Sequence, residues 1–544
     1  MVCLCQLMVV LDVSVVNVAL PSIRADLGFG ASGLQWVVNA YTLTFGGLLL
    51  LGGRLADLAG QRRAAVLGLG LFGVTSLLGG LAQSPAELVA ARAAQGVAGA
   101  VLLPVSLTVI TTTFAEGPAR HRALAVWGAV AGAGGAAGVL LGGVLTEYLD
   151  WRWTLFVNVP IAVVAVPLAA RCLRDLRPGR RERPDVVGAL LGTAAMTTLV
   201  YTVVRTDTYA WGSARTLGGF ALAALLAAAF VVVERRTAAP LVRLGILRTR
   251  SLAVACLTVF LIACGQFGAF YFASLYLQGV LGYSPVATGL AFVPFSVGVV
   301  VGTIVAGRLM PTVGPRPLLV AGLALGAAGM GWFGGVSADG DFLTDMLGPS
   351  LVASFGLGLC MVTNTAAGTS GVARAEAGLA SGLLNSARQC GGSIGLAVLV
   401  TVASTVTRHH DDPAGAAGPA ALTAGYARAF LVAGALMAVA AVAAAVLLPR
   451  TDPRTAKGPG VGRDDGAEET TEVADVAEAA EVAEAAAEAA KVSEAEAVVR
   501  AGEAQAPDGT VAEPATAPAT GPGDGGDRPA SGVRTPGSGS RPER

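Results

Sequence analysis

The segment GRLADLAGQRR, residues 53–63, has a related copy in the same chain, GRLMPTVGPRP, at residues 307–317. The two copies share the pattern G-R-L-x-x-x-x-G at an offset of 254 residues. Each copy follows an apolar run of the length that crosses a bilayer, which takes about 20 residues. The repeat therefore indicates two related halves, each embedded in a membrane.

Composition predicts that the whole chain except its end lies in the membrane. Of the 544 residues, 54% are hydrophobic and 14% are charged, whereas a soluble domain carries about 25% charged residues. Long apolar runs in lipid form helices, because a helix satisfies its own backbone polar groups. We predict an all-α polytopic membrane protein with fourteen transmembrane helices. The predicted spans are residues 2–22, 34–53, 64–83, 86–113, 122–145, 152–171, 185–204, 215–233, 252–278, 285–309, 316–335, 346–367, 381–407 and 426–448.

The offset between the two copies also predicts the domains. Spans 1–6 correspond to spans 9–14, and spans 7 and 8 are an insertion between two six-helix bundles. The bundles are predicted at residues 1–171 and 251–449, with the linker and the two extra helices at 172–250 and a tail at 450–544. Two parallel six-helix halves are an architecture of transporters, in which the substrate binds between the halves.

The distribution of arginine residues between the loops predicts the orientation of the chain in the membrane. Segments after even-numbered spans carry 20 arginines, and segments after odd-numbered spans carry 6. Because cytoplasmic loops carry the excess of basic residues, we predict that the even-numbered loops and both termini are cytoplasmic. The first lysine is Lys457, and Ala, Gly and Val are abundant. This bias favours a high-GC bacterial genome and hence a bacterial plasma membrane.

The tail differs from the rest of the chain in charge. Residues 450–544 have a net charge of −9, and residues 1–449 have a net charge of +9. The tail is rich in Ala, Glu, Gly and Pro, and its acids repeat every three residues from Glu472 to Glu484. Like charges on neighbouring helical turns repel one another, so we predict a frayed helix in a disordered cytoplasmic tail.

One acidic residue lies in the middle of a predicted span. Asp12, in LDVSVVNVALP at residues 11–21, has no Lys or Arg within ten residues on either side. A charge at the bilayer centre costs about 2.5–3.5 kcal/mol on insertion scales, so such residues usually have a function. Burial disfavours the charged form of a carboxylic acid, which makes Asp12 a candidate proton carrier. The alternative is a carboxylate that a partner neutralises and that has no further role.

Five segments resemble motifs of one family, and they occur in the order that this family has. They are LDVSVVNVALP in span 1, GRLADLAGQRR after span 2, LVAARAAQGVAGA in span 4, GGAAGVLLGG in span 5 and RQCGGSIGLAV in span 13. The chain thereby resembles the major facilitator superfamily over residues 1–449, specifically its fourteen-helix drug:proton antiporter branch. One departure is Val139, which stands where the span 5 motif has a proline.

The resemblance implies a role for each motif. Asp12 would carry the proton, and Arg92 would be a buried cation that faces the cavity and either tunes the pKa of Asp12 or holds a water network linked to protonation. Arg92 would act as a fixed charge, since arginine does not release its proton at physiological pH. The segment after span 2 would act as a cytoplasmic gating motif, through Gly53, Asp57, Gly60, Arg62 and Arg63. The alternative for this segment is a basic loop that only sets topology, and the alternative for Arg92 is snorkelling to the outer headgroups.

Two further sets of residues complete the candidate site. The span 5 glycines would seal the interface between the halves, and their alternative is ordinary small-residue helix packing. These glycines are Gly134, Gly138, Gly142 and Gly143. Polar residues in the spans are candidates for the substrate cavity or for hydrogen bonds between helices. The cavity candidates are Asn17, Asn39, Tyr41, Gln95, Asn158, Gln266 and Asn364.

The resemblance implies a proton-coupled efflux transporter that exports small amphipathic or toxic compounds by alternating access, as antibiotic resistance proteins do. The alternative is a dedicated exporter of one endogenous secondary metabolite. We expect small molecules, protons and the lipid bilayer as partners, a monomeric functional unit, no nucleic acid, no metal and no cofactor, since the proton gradient supplies the energy.

Two other classes of protein are disfavoured. A membrane-embedded enzyme would need convergent reactive groups within the spans, but His121, His409 and His410 all lie in predicted loops. A non-transporting sensor would need a folded soluble domain, which the composition of the tail does not favour.

Deletion of the tail after residue 455 is expected to leave transport intact, because its composition cannot bury a core and no motif lies beyond Arg450. Transport by the truncated and full-length chains would be compared at matched abundance in the membrane. Loss of transport at equal abundance would show that the tail contains a functional element.

Overall fold

The structure, a computed structural model, describes residues 1–449 except 31–32, 115–117, 174–184, 208, 238–239, 241–243, 371, 373–376 and 411–417. Helices dominate these residues, and no strand occurs among them. The helices correspond one to one with the fourteen predicted spans, so the predicted fold class is confirmed. The predicted tail lies outside the described residues, and the predicted domain bounds stay a prediction.

The helices are numbered here in chain order, with the two that are interrupted by one residue counted as single spans. They are α1 (Val2–Leu27), α2 (Trp36–Ala59), α3 (Gln61–Gly80), α4 (Pro85–Thr113), α5 (Pro118–Tyr148), α6 (Trp153–Cys172), α7 (Val186–Val204), α8 (Ala214–Arg236), α9 (Arg250–Gly279), α10 (Pro285–Val313), α11 (Pro315–Phe333), α12 (Gly348–Thr369), α13 (Ala377–His410) and α14 (Pro419–Leu447). A π-helical turn, Phe342–Leu347, leads into α12.

Thirteen of the described helices are long and apolar enough to cross a membrane, and α5 is long enough as well, with 31 residues. Large apolar side chains remain exposed along them, among them Leu67, Val163 and Leu225. In water such a surface would be unfavourable, but in lipid it is the surface that a transmembrane helix presents. The chain is therefore a multi-pass membrane protein.

Helix packing relates the two halves by a pseudo-twofold axis. In the first half α2 packs on α4, α1 on α5, α3 on α4 and α3 on α6. Adding eight to each number gives the packing of the second half: α10 on α12, α9 on α13, α11 on α12 and α11 on α14. Between the halves α2 meets α13 and α5 meets α10, a pair that the same axis exchanges, and α1 meets α9. Helices α7 and α8 pack on each other, with α7 against α2 and α13.

The two copies of the sequence repeat form the same connection. Gly60 links α2 to α3 with φ 87°, and Gly314 links α10 to α11 with φ 84°. A side chain is strained at positive φ, so glycine allows two long helices to join through one residue. The repeat seen at an offset of 254 residues therefore has a structural counterpart at the helix junctions.

The halves are joined by hydrogen bonds between α1 and α9. Ser274 Oγ donates to the backbone oxygen of Asn17 at 3.0 Å, and Gln278 Nε2 donates to the backbone oxygen of Val18 at 2.9 Å. Both side chains lie in the last turns of α9 and reach the C-terminal half of α1. These contacts close the halves against each other near the end where α1 leads into α2.

Two more polar contacts cross between the halves. At the same end of the molecule, the backbone N–H of Val286 at the start of α10 donates to Glu147 Oε2 near the end of α5, at 2.8 Å. Within the bilayer, the hydroxyls of Thr42 and Ser393 on α2 and α13 lie 2.6 Å apart and are buried. The contacts at the shared end form what is called here the outer seal, defined by Ser274, Gln278 and Glu147.

Candidate functional site

Asp12 is completely buried and accepts hydrogen bonds from three side chains. Arg92 Nη1 lies 2.5 Å from Asp12 Oδ2. Asp12 Oδ1 accepts from Asn158 Nδ2 at 2.9 Å and from Gln95 Nε2 at 3.2 Å. The four residues come from α1, α4 and α6, so tertiary packing of the first half assembles this cluster.

Arg92, like Asp12, has several partners for its charged group. Its Nε donates to the backbone oxygen of Val37 at 3.0 Å, and its Nη1 also donates to Gln95 Oε1 at 2.8 Å. The guanidinium lies 4.5 Å from the centre of the Tyr41 ring, a cation–π distance. Gln95 in turn donates to Ser76 Oγ at 2.6 Å. A buried ion pair is tolerated when further hydrogen bonds satisfy both ions, and this one meets that condition.

The hydrogen bonds of Asp12 limit how it can take up a proton. All three partners are N–H donors, and an ionised carboxylate is a pure acceptor. Its three donors occupy three of about four lone-pair sites, so a proton can bind at Oδ2 beside Arg92. The neutral acid would no longer balance the charge of Arg92, so protonation would weaken the ion pair that joins α1 to α4.

The glycines of the predicted antiporter motif lie on one side of α5, where they allow close helix approach. A Cβ added at Gly142 would lie 2.8 Å from the backbone oxygen of Val15 on α1. A Cβ added at Gly143 would lie 2.6 Å from the backbone oxygen of Pro285 on α10, in the other half. Gly134 and Gly138 also face α1. The proposed role of this motif in sealing the halves stays a prediction.

The predicted gating motif occupies the junction between α2 and α3. Gly53 lines the cavity described below, Gly60 makes the turn, and Arg62 and Arg63 are exposed at the start of α3. The side chain of Asp57 lies outside the described part of the structure. The latch that these residues would form stays a prediction.

A cavity of about 860 Å³ opens between the halves, at the end of the molecule opposite the outer seal. It is lined by the C-terminal parts of α2, α4 and α12 and by the N-terminal parts of α5, α9 and α13. Much of the wall is apolar, including Leu50, Leu107, Trp127, Ile262 and Met361. Its volume lies within the range of protein sites that bind drug-sized ligands.

Polar groups cluster on the part of the cavity wall that the second half of the chain forms. Gln266 on α9, Asn364 on α12, and Asn385 and Arg388 on α13 all line it. Asn364 is held in place, because its Oδ1 accepts from the Thr258 hydroxyl at 2.6 Å and its Nδ2 donates to the Ala255 backbone at 3.1 Å. The lining also includes Arg54 on the first half.

Seven residues were predicted as cavity candidates, and the structure divides them. Gln266 and Asn364 line the cavity. Gln95 and Asn158 bind Asp12 instead, and Tyr41 lies under Arg92.

The remaining two candidates make contacts within their own helices. Asn39 Nδ2 donates to Gln35 Oε1 at 3.5 Å, and Asn17 Nδ2 donates to the backbone oxygen of Val13 at 3.0 Å. Polar groups buried in a membrane protein satisfy one another, which explains why most of the seven lie away from the cavity.

The position of one arginine of the site along its helix differs from the position that the arginine count assumes. Arg388 was counted among the arginines of a cytoplasmic segment, but it lies eleven residues after Ala377, the first residue of α13. At 1.5 Å per residue this is roughly 16 Å along the helix axis. The signal available in the sequence was its position inside the predicted span 381–407.

Two pseudo-symmetric helix bundles around one cavity are the architecture of secondary transporters. The family model described as Major Facilitator Superfamily matches residues 2–396. The chain belongs to the major facilitator superfamily.

Comparison with known proteins gives relatives of similar length. The chain is 47% identical to the cephamycin export protein of Amycolatopsis lactamdurans, covering 82% of this chain and 90% of that protein. It is 43% identical to the puromycin resistance protein of Streptomyces alboniger, with the same coverage. Among solved structures, a nucleoside transporter matches with a TM-score of 0.58 and 10% identity over 82% of this chain and 98% of that one. That similarity concerns the fold alone.

Proposed function

We propose that the chain is a proton-coupled antiporter that exports a small molecule from the bacterial cytoplasm. The observation that carries this proposal is the buried Asp12, whose carboxylate forms an ion pair with Arg92 that protonation of Asp12 would remove. The relatives, which are named as an antibiotic export protein and an antibiotic resistance protein, support export as the direction of transport.

The arrangement of the cavity and the outer seal supports a mechanism of alternating access. The cavity opens on the side of the α2–α3 junction, which the arginine count assigns to the cytoplasm. Substrate would enter from that side while the outer seal is closed. Protonation of Asp12 from outside would release Arg92, and the halves would rock around the site in returning to this state. The functional unit in this scheme is one chain, since each chain contains the cavity and the carboxylate.

A dedicated exporter is the second candidate, and one observation favours it over a broad multidrug pump. The two relatives with 47% and 43% identity are each named for a single compound. A narrow substrate range would follow if the polar groups of the cavity recognise one substrate by fixed hydrogen bonds.

Export can be tested with purified full-length protein in liposomes. An imposed pH gradient, acidic on the outer side of the protein, should drive movement of cephamycin or puromycin out of the cytoplasmic side. A panel of unrelated cationic dyes separates a broad pump from a dedicated exporter. If no compound of the panel moves with the gradient and none releases protons on addition, the proposal is wrong.

The orientation gives a separate prediction, which uses exposed positions in two loops. Leu149 follows α5 and is 58% exposed, and Leu247 precedes α9 and is 36% exposed. In a background without reactive native cysteines, Leu149→Cys should react with an impermeant thiol reagent in intact cells. Leu247→Cys should react only after permeabilisation, because the arginine-rich loops are cytoplasmic. The reverse labelling pattern would overturn the orientation.

A further inference from the structure

Among the described residues, the lining of the cavity contains arginine but no acidic residue. These arginines are Arg54 and Arg388. A cation inside a membrane protein is costly unless an anion or several polar groups compensate it. The cavity is therefore electrostatically suited to an anion rather than to a cation.

Among the described residues, the charge of Arg388 has no anionic partner. The one hydrogen bond of its guanidinium to these residues runs from Nη2 to Asn385 Oδ1 at 3.3 Å, a neutral acceptor in the same helix. Arg92, by contrast, forms the ion pair with Asp12 and further hydrogen bonds to Val37 and Gln95. Arginine has five N–H donors in a planar fork that suits a carboxylate, and most of those of Arg388 are available to a ligand.

The same cavity contains a second hydrogen-bond donor without a described partner. Gln266 on α9 lines the wall and, among the described residues, its amide has no hydrogen-bond partner. Helix α9 packs directly on α13, which carries Arg388. The amide and the guanidinium therefore lie on neighbouring helices of the second half, while leucines and Trp127 form the opposite wall.

We infer that this cavity binds an amphipathic anion, whose carboxylate or similar acidic group pairs with Arg388 while its apolar part rests against the first half. This inference specifies the substrate class of the exporter proposed above and rests on that proposed function. Gln266 donates a further hydrogen bond to the anionic group. Arg388 thus acts as a binding residue that selects substrates by charge.

Three probes that share a naphthalene ring and differ in the charge of their polar group test this inference: 2-naphthoate, neutral 2-naphthamide and cationic 2-naphthylmethylammonium. Calorimetric titration of the full-length protein in a neutral detergent measures their binding. The wild-type protein should prefer 2-naphthoate to 2-naphthamide by about tenfold or more, the factor that a charge-assisted hydrogen bond provides. Arg388→Gln should lose most of that preference and still bind 2-naphthamide measurably, since the glutamine amide can donate to the carbonyl oxygen of the probe. Arg388→Glu should reverse it in favour of the cation.

The naphthamide affinity is the internal control for folding, since a misfolded variant would lose it too. Equal binding of the three probes to the wild type, no binding of any probe, or an unchanged preference in Arg388→Gln would each overturn the inference. Binding in detergent needs neither a gradient nor transport. A protein that prefers the anion but exports nothing would refute the proposed function alone, and export with an unchanged Arg388→Gln preference would refute this inference alone.

Discussion

Asp12→Asn is expected to reduce export driven by a pH gradient to the level of liposomes without protein. Asparagine has nearly the shape of aspartate but cannot bind and release a proton, so the coupling between protonation and the Arg92 contact is lost. Substrate-induced proton release in liposomes measures this effect directly. Wild-type proton release by Asp12→Asn would show that Asp12 is structural and that another group carries the proton.

The structure calls for a control, because Asp12→Asn also leaves Arg92 as a buried charge without its counter-ion. Breaking a buried ion pair from one side costs about 3–5 kcal/mol, which by itself can reduce the amount of folded protein. The double variant Asp12→Asn with Arg92→Gln removes both charges and should restore abundance without restoring coupling. Asp12→Glu keeps a titratable group and should retain part of the proton release. Arg92→Lys should weaken coupling less than Arg92→Ala, since it keeps the charge.

The second large effect is expected from Gly96→Ala, one residue after Gln95 on α4. A Cβ there would lie 2.4 Å from the backbone oxygen of Tyr41 and 3.0 Å from the backbone nitrogen of Phe45. Backbone atoms of α2 cannot move aside singly, so α2 and α4 must separate. Overpacking of this kind costs about 1–3 kcal/mol, and it also displaces the ring under Arg92. The thermal unfolding midpoint of purified protein should fall.

Gly70→Ala is the matched control for this prediction. Gly70 lies in the middle of α3, and a Cβ there would meet no atom within 4 Å. Alanine in a helix interior is more stable than glycine by about 0.5–1 kcal/mol, so the midpoint should stay or rise. A fall of equal size in both variants would mean that the close approach at Gly96 is not what limits stability.

The fourteen spans could be predicted from the sequence because the bilayer imposes one length and one composition on every crossing helix. The junction glycines could be predicted as well, since Gly60 and Gly314 stand at equal positions of the repeat and both adopt positive φ. These features depend on local sequence, or on comparison of the chain with itself. They do not require knowledge of which helices touch.

The partners of Asp12 depend on that knowledge. The sequence predicts that Arg92 tunes the pKa of Asp12 or holds a water network, and the structure pairs it directly with Asp12. Gln95 and Asn158 are candidates for the cavity or for hydrogen bonds between helices on sequence alone, and in the structure they bind Asp12. A transmembrane helix is apolar on its lipid side and on its packed side alike, so hydrophobic periodicity does not reveal which way a polar residue faces. Arg388 was missed for a related reason, since the positive-inside rule counts arginines without asking for their depth.

The outer seal has a consequence for how much energy one transport cycle needs. Ser274, Gln278 and Glu147 contribute its three polar contacts, and a hydrogen bond is worth about 0.5–1.5 kcal/mol net, so the polar part of the seal costs about 1.5–4.5 kcal/mol to open. A proton that crosses 100 mV of membrane potential releases about 2.3 kcal/mol. One or two protons that cross 100 mV would therefore supply about as much free energy as the polar part of the seal costs to open. Further hydrogen bonds in the seal would raise this cost, and a seal without its three polar contacts would let the cavity open to the outside with no proton bound.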